Sequence, residues 1–243
     1  MPSSPPPRAS LTAWRTAGSR VTDAGSAIPA GIDLDRPRHG ITLAGSAGTA
    51  AAALLGLDLR SDSRLADHWV REDDVTAIYE TVDARRLRTT AMWRLAPSDG
   101  ATRAWELVVS AQTSLLQSDS FVAVVSEIDG AVTLWGTFRD GDVHWHTTPS
   151  PEATCVLVQR DGQTDAAAKS VLVVAHPGDA RRVTVRKDGG RTELECWLFS
   201  TALEKGVLLR SRVLAAVGPT DNAGHWATRL ATSFAASPPM LTT

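Results

Sequence analysis

Lysine is nearly missing from this chain of 243 residues: only Lys169, Lys187 and Lys205 occur, and arginine supplies nearly all the positive charge. Cysteine is equally scarce. Cys155 and Cys196 lie in separate apolar runs, "TCVLVQ" and "LECWLF", without the Cys-x-x-Cys spacing of a metal knuckle or dithiol redox site. They read as free thiols packed as small hydrophobes, and nothing in the pattern argues for a disulfide. Long hydrophobic runs are also lacking. The most apolar stretch, "GTAAAALLGL", falls far short of the roughly 20 residues a membrane span needs. The N-terminal "MPSSPPPRASLTAWRTAG" carries no apolar core of a secretory signal. The expectation is a soluble cytoplasmic protein with no membrane partner.

An excess of either charge is absent too. Twenty-five basic and 27 acidic residues leave a formal net charge of −2. Nucleic-acid binding usually shows as a basic domain or stripe, and the sequence shows neither, so no nucleic-acid partner is expected. The short cluster Arg85-Arg86-Leu87-Arg88 reads as a solvated strand end rather than a phosphate patch. Nucleotide-binding glycine patterns do not occur: "AGSAGTA" lacks the Gly-x-Gly-x-x-Gly spacing, and no Gly-x-x-x-x-Gly-Lys-Ser/Thr is present. Gly-x-Ser-x-Gly and His-Glu-x-x-His are absent as well, which disfavours a hydrolase elbow and a zincin site. No cofactor is expected.

What the chain has is β-sheet. Apolar residues make up 43% of it, enough at this length to build a core without disulfides or metal. Residues 1–10 form a Pro/Ser tail of disordered composition. From Ile41 onward, β-branched and aromatic segments alternate with period two, among them "DDVTAIYETV", "SFVAVVSEI", "SVLVVAHP" and "TELECWLFS". "SDG", "IDGA", "RDGD", "RDGQ", "HPGD" and "KDGGR" divide them. Asp-Gly at this density signals hairpins, because type I′ turns require two positive φ angles. "GTAAAALLGLDL" fits either a short helix or a strand. "TDNAGHWATRLATSFAASPP" fits a C-terminal helix with Asp221 as cap and Trp226, Leu230 and Phe234 along one face, stopped by Pro238-Pro239.

These features predict an all-β fold: one large antiparallel two-sheet sandwich over residues 11–243 with a short C-terminal helix. Chain length, about a dozen strands and a continuous antiparallel layout resemble the galactose-mutarotase-like β-supersandwich. The resemblance is of architecture, and it carries no catalytic residue across. It implies a sugar-active type of scaffold.

Two hairpins hold the candidate site residues. With Asp140-Gly141 as turn, "LWGTFRDGDVHWHTTP" pairs Phe138 with Val143, Thr137 with His144, Gly136 with Trp145 and Trp135 with His146. Leu134, Phe138, Val143 and Trp145 then share an apolar face, with Trp145 over Gly136. Trp135, Thr137, His144 and His146 share the other. That second face has three readings: an ordinary half-exposed strand face, a metal chelate, or a ligand platform of Trp135 and Thr137 beside two imidazoles. A metal needs a further ligand. Glu152 gives a faint resemblance to the cupin His-x-His…Glu pattern, but its spacing is too long. With Gly189-Gly190 as turn, Arg186 opposes Glu193 and Thr184 opposes Glu195. Glu193 and Glu195 then project from one face beside Trp197, either as an acid–base pair or as partners of cross-strand arginines. His176, at a strand end before Pro-Gly, is a further ligand-binding candidate.

Three functions follow as expectations: carbohydrate or small-molecule binding without catalysis; a sugar epimerase, isomerase or lyase using His144 or His146 with Glu193 or Glu195; or a structural subunit. The enzyme version requires the histidine and carboxylate to converge in one cleft.

Overall fold

The computed structural model describes residues 14–23, 29–44, 50–98, 101–159, 169–179, 182–199 and 201–238. The Pro/Ser tail, the "SDG" and "RDGQ" turns and Pro239 fall wholly or partly outside them. In chain order the strands are β1 (Trp14–Ala17), β2 (Arg20–Asp23), β3 (Ala30–Asp33), β4 (Ile41–Ala44), β5 (Ala50–Asp58), β6 (Ser63–Arg71) and β7 (Asp74–Thr81). Next come β8 (Leu87–Ala96), β9 (Arg103–Thr113), β10 (Gln117–Asp119), β11 (Val122–Asp129), β12 (Ala131–Arg139) and β13 (Asp142–His146). The last are β14 (Cys155–Gln159), β15 (Lys169–Ala175), β16 (Arg182–Asp188), β17 (Arg191–Phe199), β18 (Ala202–Glu204) and β19 (Leu209–Pro219), followed by helix α1 (Ala223–Ala236).

Two antiparallel sheets form the sandwich. The front sheet has eight strands in the order β1-β2-β3-β4-β5-β11-β17-β16. The back sheet has nine, in the order β13-β12-β14-β15-β19-β9-β8-β7-β6, and β10 pairs with β18 apart from both. Alternation sends one side of each strand into the shared core, where Trp93, Trp105, Tyr79, Leu54 and Leu107 are fully buried. This is the all-β two-sheet architecture that the period-two pattern predicts. Strands β1–β3 add to the expected set. Each is four residues long with at most two buried, too short to show a period.

Both hairpins adopt the register read from the sequence. Trp135 pairs with His146, Gly136 with Trp145 and Thr137 with His144 across Asp140-Gly141, whose φ angles of 52° and 88° are both positive. Arg186 pairs with Glu193 and Thr184 with Glu195 across Gly189-Gly190. The ambiguous alanine run is strand β5, hydrogen-bonded between β4 and β11.

The back sheet is buried on both faces over part of its width. Helix α1 lays Ala223, Trp226, Ala227, Ala231 and Phe234 on the far side of β14, β15 and β19, against Leu157, Leu172, Val174 and Leu214. Continuous apolar runs such as "CVLVQ" and "VLVVA" follow from that double cover. The helix starts one residue later than Asp221 would place it. Asn222, in the left-handed region, occupies the cap position, and no side chain caps the helix. The C-terminal end is closed by Ser237, whose hydroxyl donates to the Phe234 carbonyl at 2.6 Å. Both cysteines are free and buried. Burial pushes the Cys196 thiol up to about 12 and raises that of Cys155 as well.

Gly136 shows how tightly the helix-covered face is packed. A Cβ there would lie 2.1 Å from the Cys155 Sγ and 2.8 Å from a Val143 methyl. Gly136→Ala is expected to destabilise the protein by about 2 kcal/mol, the cost of overpacking a well-filled core. Adding Cys155→Ala should recover part of that loss. Urea denaturation of the wild type, both single variants and the double variant measures the coupling.

Candidate functional site

The first hairpin packs both of its faces against the rest of the fold. Trp135 is 9% exposed and belongs to the core between the sheets. Thr137 is buried, with its hydroxyl 3.2 Å from the His146 Nε2, and His144 is exposed. The apolar face with Trp145 packs on α1, where the indole N–H donates to the Thr228 hydroxyl at 2.8 Å. Among the described residues no group of three or more His, Cys, Asp or Glu is placed to share a metal ion.

His176 lies elsewhere, just beyond β15 under the end of α1. Its ring meets Phe234 edge-on at 5.5 Å, its Nδ1 accepts from the Gly178 N–H, and Asp179 stands 3.8 Å away. Beside it the buried Arg212 donates to the Ser237 hydroxyl and to the Ser237 and Pro238 carbonyls, closing the helix end. Arg212 also stands 3.7 Å from Glu106, which pairs with Arg94 at 2.5 Å. This clasp holds the helix, and His176 is part of it.

Glu193 and Glu195 fall in a different setting, on the outward side of the front sheet. Leu194, Cys196 and Leu198 fill the core, so Glu193, Glu195 and Trp197 point away from it. Register places Trp197, Ala123 and Asp58 in one row across β17, β11 and β5, and Glu195, Val125 and Gly56 in the next. The result is a strip of small or apolar residues, a trough in side-chain size that is itself buried beneath the polar and aromatic side chains around it.

The far wall depends on one irregularity in β5. Leu55 is an extra residue opposite Ser126, with a positive φ of 56°. Its N–H is taken by the Ser126 hydroxyl at 3.1 Å and its carbonyl by the Trp93 indole at 2.9 Å. A single 3-10 turn, Pro37–His39, then rests on Gly56, where a Cβ would lie 1.8 Å from the Arg38 carbonyl oxygen. The turn directs Arg38 over the trough.

Arginines bridge the two walls. Arg38 donates to Asp58 and, at 2.9 Å, to Glu193. Arg60 donates to Glu195 at 3.0 Å and stands 3.5 Å from Asp58. Its guanidinium lies over the Trp197 ring, 4.4 Å from the centroid, with Arg182 at 5.2 Å. Thr184 donates to Glu195 and receives the Trp197 indole N–H, which fixes the ring. Phe121 meets the same ring edge-on at 6.4 Å. Glu195 is 1% exposed, a carboxylate held below the surface by its partners.

No protein-family model matches the chain, and no curated protein matches it. Among solved structures, HI1317 aligns with 82% of this chain and 91% of its own, at 8% identity and a TM-score of 0.43. The GH36 α-galactosidase AgaA from Geobacillus stearothermophilus aligns with 72% of this chain at 7% identity and a TM-score of 0.39. An α-galactosidase from Lactobacillus brevis aligns with 72% at 8% identity and a TM-score of 0.38. The chain spans only 29% and 28% of those two enzymes. At these scores no functional residue transfers, and the site rests on its own geometry.

Each carboxylate in the trough is matched to a guanidinium, so Glu193 and Glu195 form an ion-pair network rather than two carboxyls facing each other. Arg186 opposes Glu193 in register but stands nearer Glu195, at 3.7 Å, because Arg38 has taken Glu193. Among the described residues no contact links His144 or His146 to Glu193 or Glu195. The histidines ride the back sheet and the glutamates the outer face of the front sheet. Sequence reasoning places Trp197 beside the two glutamates but leaves out Arg38, Asp58 and Arg60.

Gly56→Ala is expected to unseat the 37–39 turn and cost about 3 kcal/mol, since the clash is with backbone. Thermal melts measure the loss, and a lower Tm than that of Gly141→Ala, at an open turn position, gives its specificity. For His176, burial and then the Arg212 guanidinium push the ring below its ordinary value near 6.5. Folding therefore favours the neutral ring, and its contribution is present above about 6.5 and lost as pH falls. Between pH 7.5 and 5.5 the wild type should lose more stability in urea titrations than His176→Gln.

Proposed function

We propose that the protein binds a small polyhydroxylated ligand, a carbohydrate, in the front-sheet trough. The observation that carries this is the buried Glu195 carboxylate, hydrogen-bonded to an arginine that lies on the face of Trp197. A sugar has an apolar ring face and a rim of hydroxyls. Phe121, which is exposed, and the part of Trp197 that Arg60 and Arg182 leave uncovered offer apolar surface for the first. Arg38, Arg60 and Glu193 offer directional donors and an acceptor for the second. Pockets combine apolar walls with a few convergent polar groups in this way. The side chains are held by one another before a ligand arrives, which lowers the ordering cost of binding.

Catalysis by a histidine–carboxylate pair has no support in this arrangement, because the candidate groups are on different sheets. A binding role asks only for the trough. Part of its exposed surface is guanidinium edge, and a bound sugar would replace water there.

A thermal-shift screen against neutral sugars and sugar acids tests the reading, since a ligand selective for the native state raises Tm. The expected result is a concentration-dependent rise for at least one sugar. Trp197→Ala should weaken binding about tenfold or more. A flat response to every sugar at saturating concentration would remove the carbohydrate assignment.

A further inference from the structure

At its β6–β9 corner the outer face of the back sheet opens into a cavity of about 600 Å³. Pairing sets Arg64, Glu80, Arg88 and Gln112 in one row across four strands. Glu80 sits between two arginines and accepts from Arg64 at 2.5 Å on one oxygen and from Arg88 at 2.6 Å on the other. The Arg64 hydrogen bond holds its carboxyl below the ordinary carboxylate range.

Arg86 completes the lining together with Ser114. Its backbone is in the left-handed region, φ 44°, a conformation that costs energy for any residue with a side chain. The side chain is exposed and makes no hydrogen bond or ion pair with any described residue. Its neighbour Arg85 is engaged elsewhere, donating to Asp83 and to the Leu59 and Phe121 carbonyls. The cavity therefore holds three guanidiniums against one carboxylate, and both oxygens of that carboxylate are taken. It is rich in N–H and O–H donors and carries two uncompensated positive charges.

We propose that this cavity binds a small dianionic oxyanion, a phosphate group, either free or as the end of a phosphorylated small molecule. Guanidinium forks match phosphate oxygens in pairs. A dianion balances the local excess of two charges, which a single carboxylate does not. Glu80 orients Arg64 and Arg88 while leaving most of their N–H groups unspent. The site is on the opposite sheet from the trough and stands or falls independently of it.

Isothermal titration of the full chain at low ionic strength tests this with inorganic phosphate, a sugar phosphate and the parent sugar. Saturable binding of phosphate is expected, weakened about tenfold by Arg86→Gln and by Arg64→Gln. Arg139→Gln, near the other edge of the back sheet, should leave it unchanged. Tighter binding of the sugar phosphate than of inorganic phosphate assigns the site to a phosphorylated small molecule, and equal affinity assigns it to free phosphate. Absence of saturable binding overturns the proposal. So does binding that survives both variants, or that falls equally in Arg139→Gln, since the effect would then be one of diffuse charge. The Arg86 side chain makes no hydrogen bond or ion pair with any described residue, and its backbone bonds to Asp83 and Thr113 are kept in Arg86→Gln, so the replacement tests the ligand rather than stability.

Discussion

The candidate trough depends on a single extra residue in β5. A bulge leaves backbone groups without their ladder partners, and such groups are costly when buried. Here the cost at Leu55 is offset from both sides of the sandwich: Ser126 comes from the neighbouring strand and Trp93 from the opposite sheet. The two sheets are tied together at the point where the front sheet changes its register. Past the bulge, Gly56 gives the 37–39 turn a seat, and Asp58 and Arg60 follow within four residues. Removing the bulge would realign all three.

The ion pairs above the trough are unequal in worth. Glu195 is nearly enclosed, so losing its partner would strand a charge away from water, which is among the more damaging changes a fold can suffer. Arg38 and Arg186 are open to solvent and screened, and such pairs contribute little to stability. Their alignment has more to do with holding guanidinium planes in fixed directions than with keeping the protein folded. A binding surface needs that rigidity, because each side chain ordered in advance is one not ordered by the ligand.

Local chemistry was legible in the sequence, and distant chemistry was not. Asp140-Gly141 and Gly189-Gly190 specify their turns outright, and with each turn the register and the facing of every residue in the hairpin follow. The facing could be read, but what each face looks onto could not. Trp135 shares a side with His144 and His146, yet that side meets the second sheet, while the apolar side meets a helix contributed some eighty residues later. For the same reason Glu193 and Glu195 were visible together with their cross-strand neighbours Thr184 and Arg186, and their distant partners were not. Arg38 and Arg60 stand 155 and 135 residues away in sequence, and nothing in "DRPRHG" or "DLRSDS" separates them from ordinary surface arginines. Strands β1–β3 were hidden because a four-residue strand holds too few residues for a period.

The shortage of lysine gains a chemical meaning under the proposed carbohydrate reading. Among the described residues the cations that border the trough, at positions 38, 60, 182 and 186, are arginines. A guanidinium donates hydrogen bonds and stacks on an indole, but it is not a primary amine and is far less prone than lysine to condense with an aldehyde. Reducing sugars carry a latent aldehyde in their open-chain form. Under the proposed carbohydrate reading, a surface that held such molecules through arginine alone would meet them repeatedly without forming imines, and its binding groups would not be consumed by slow glycation.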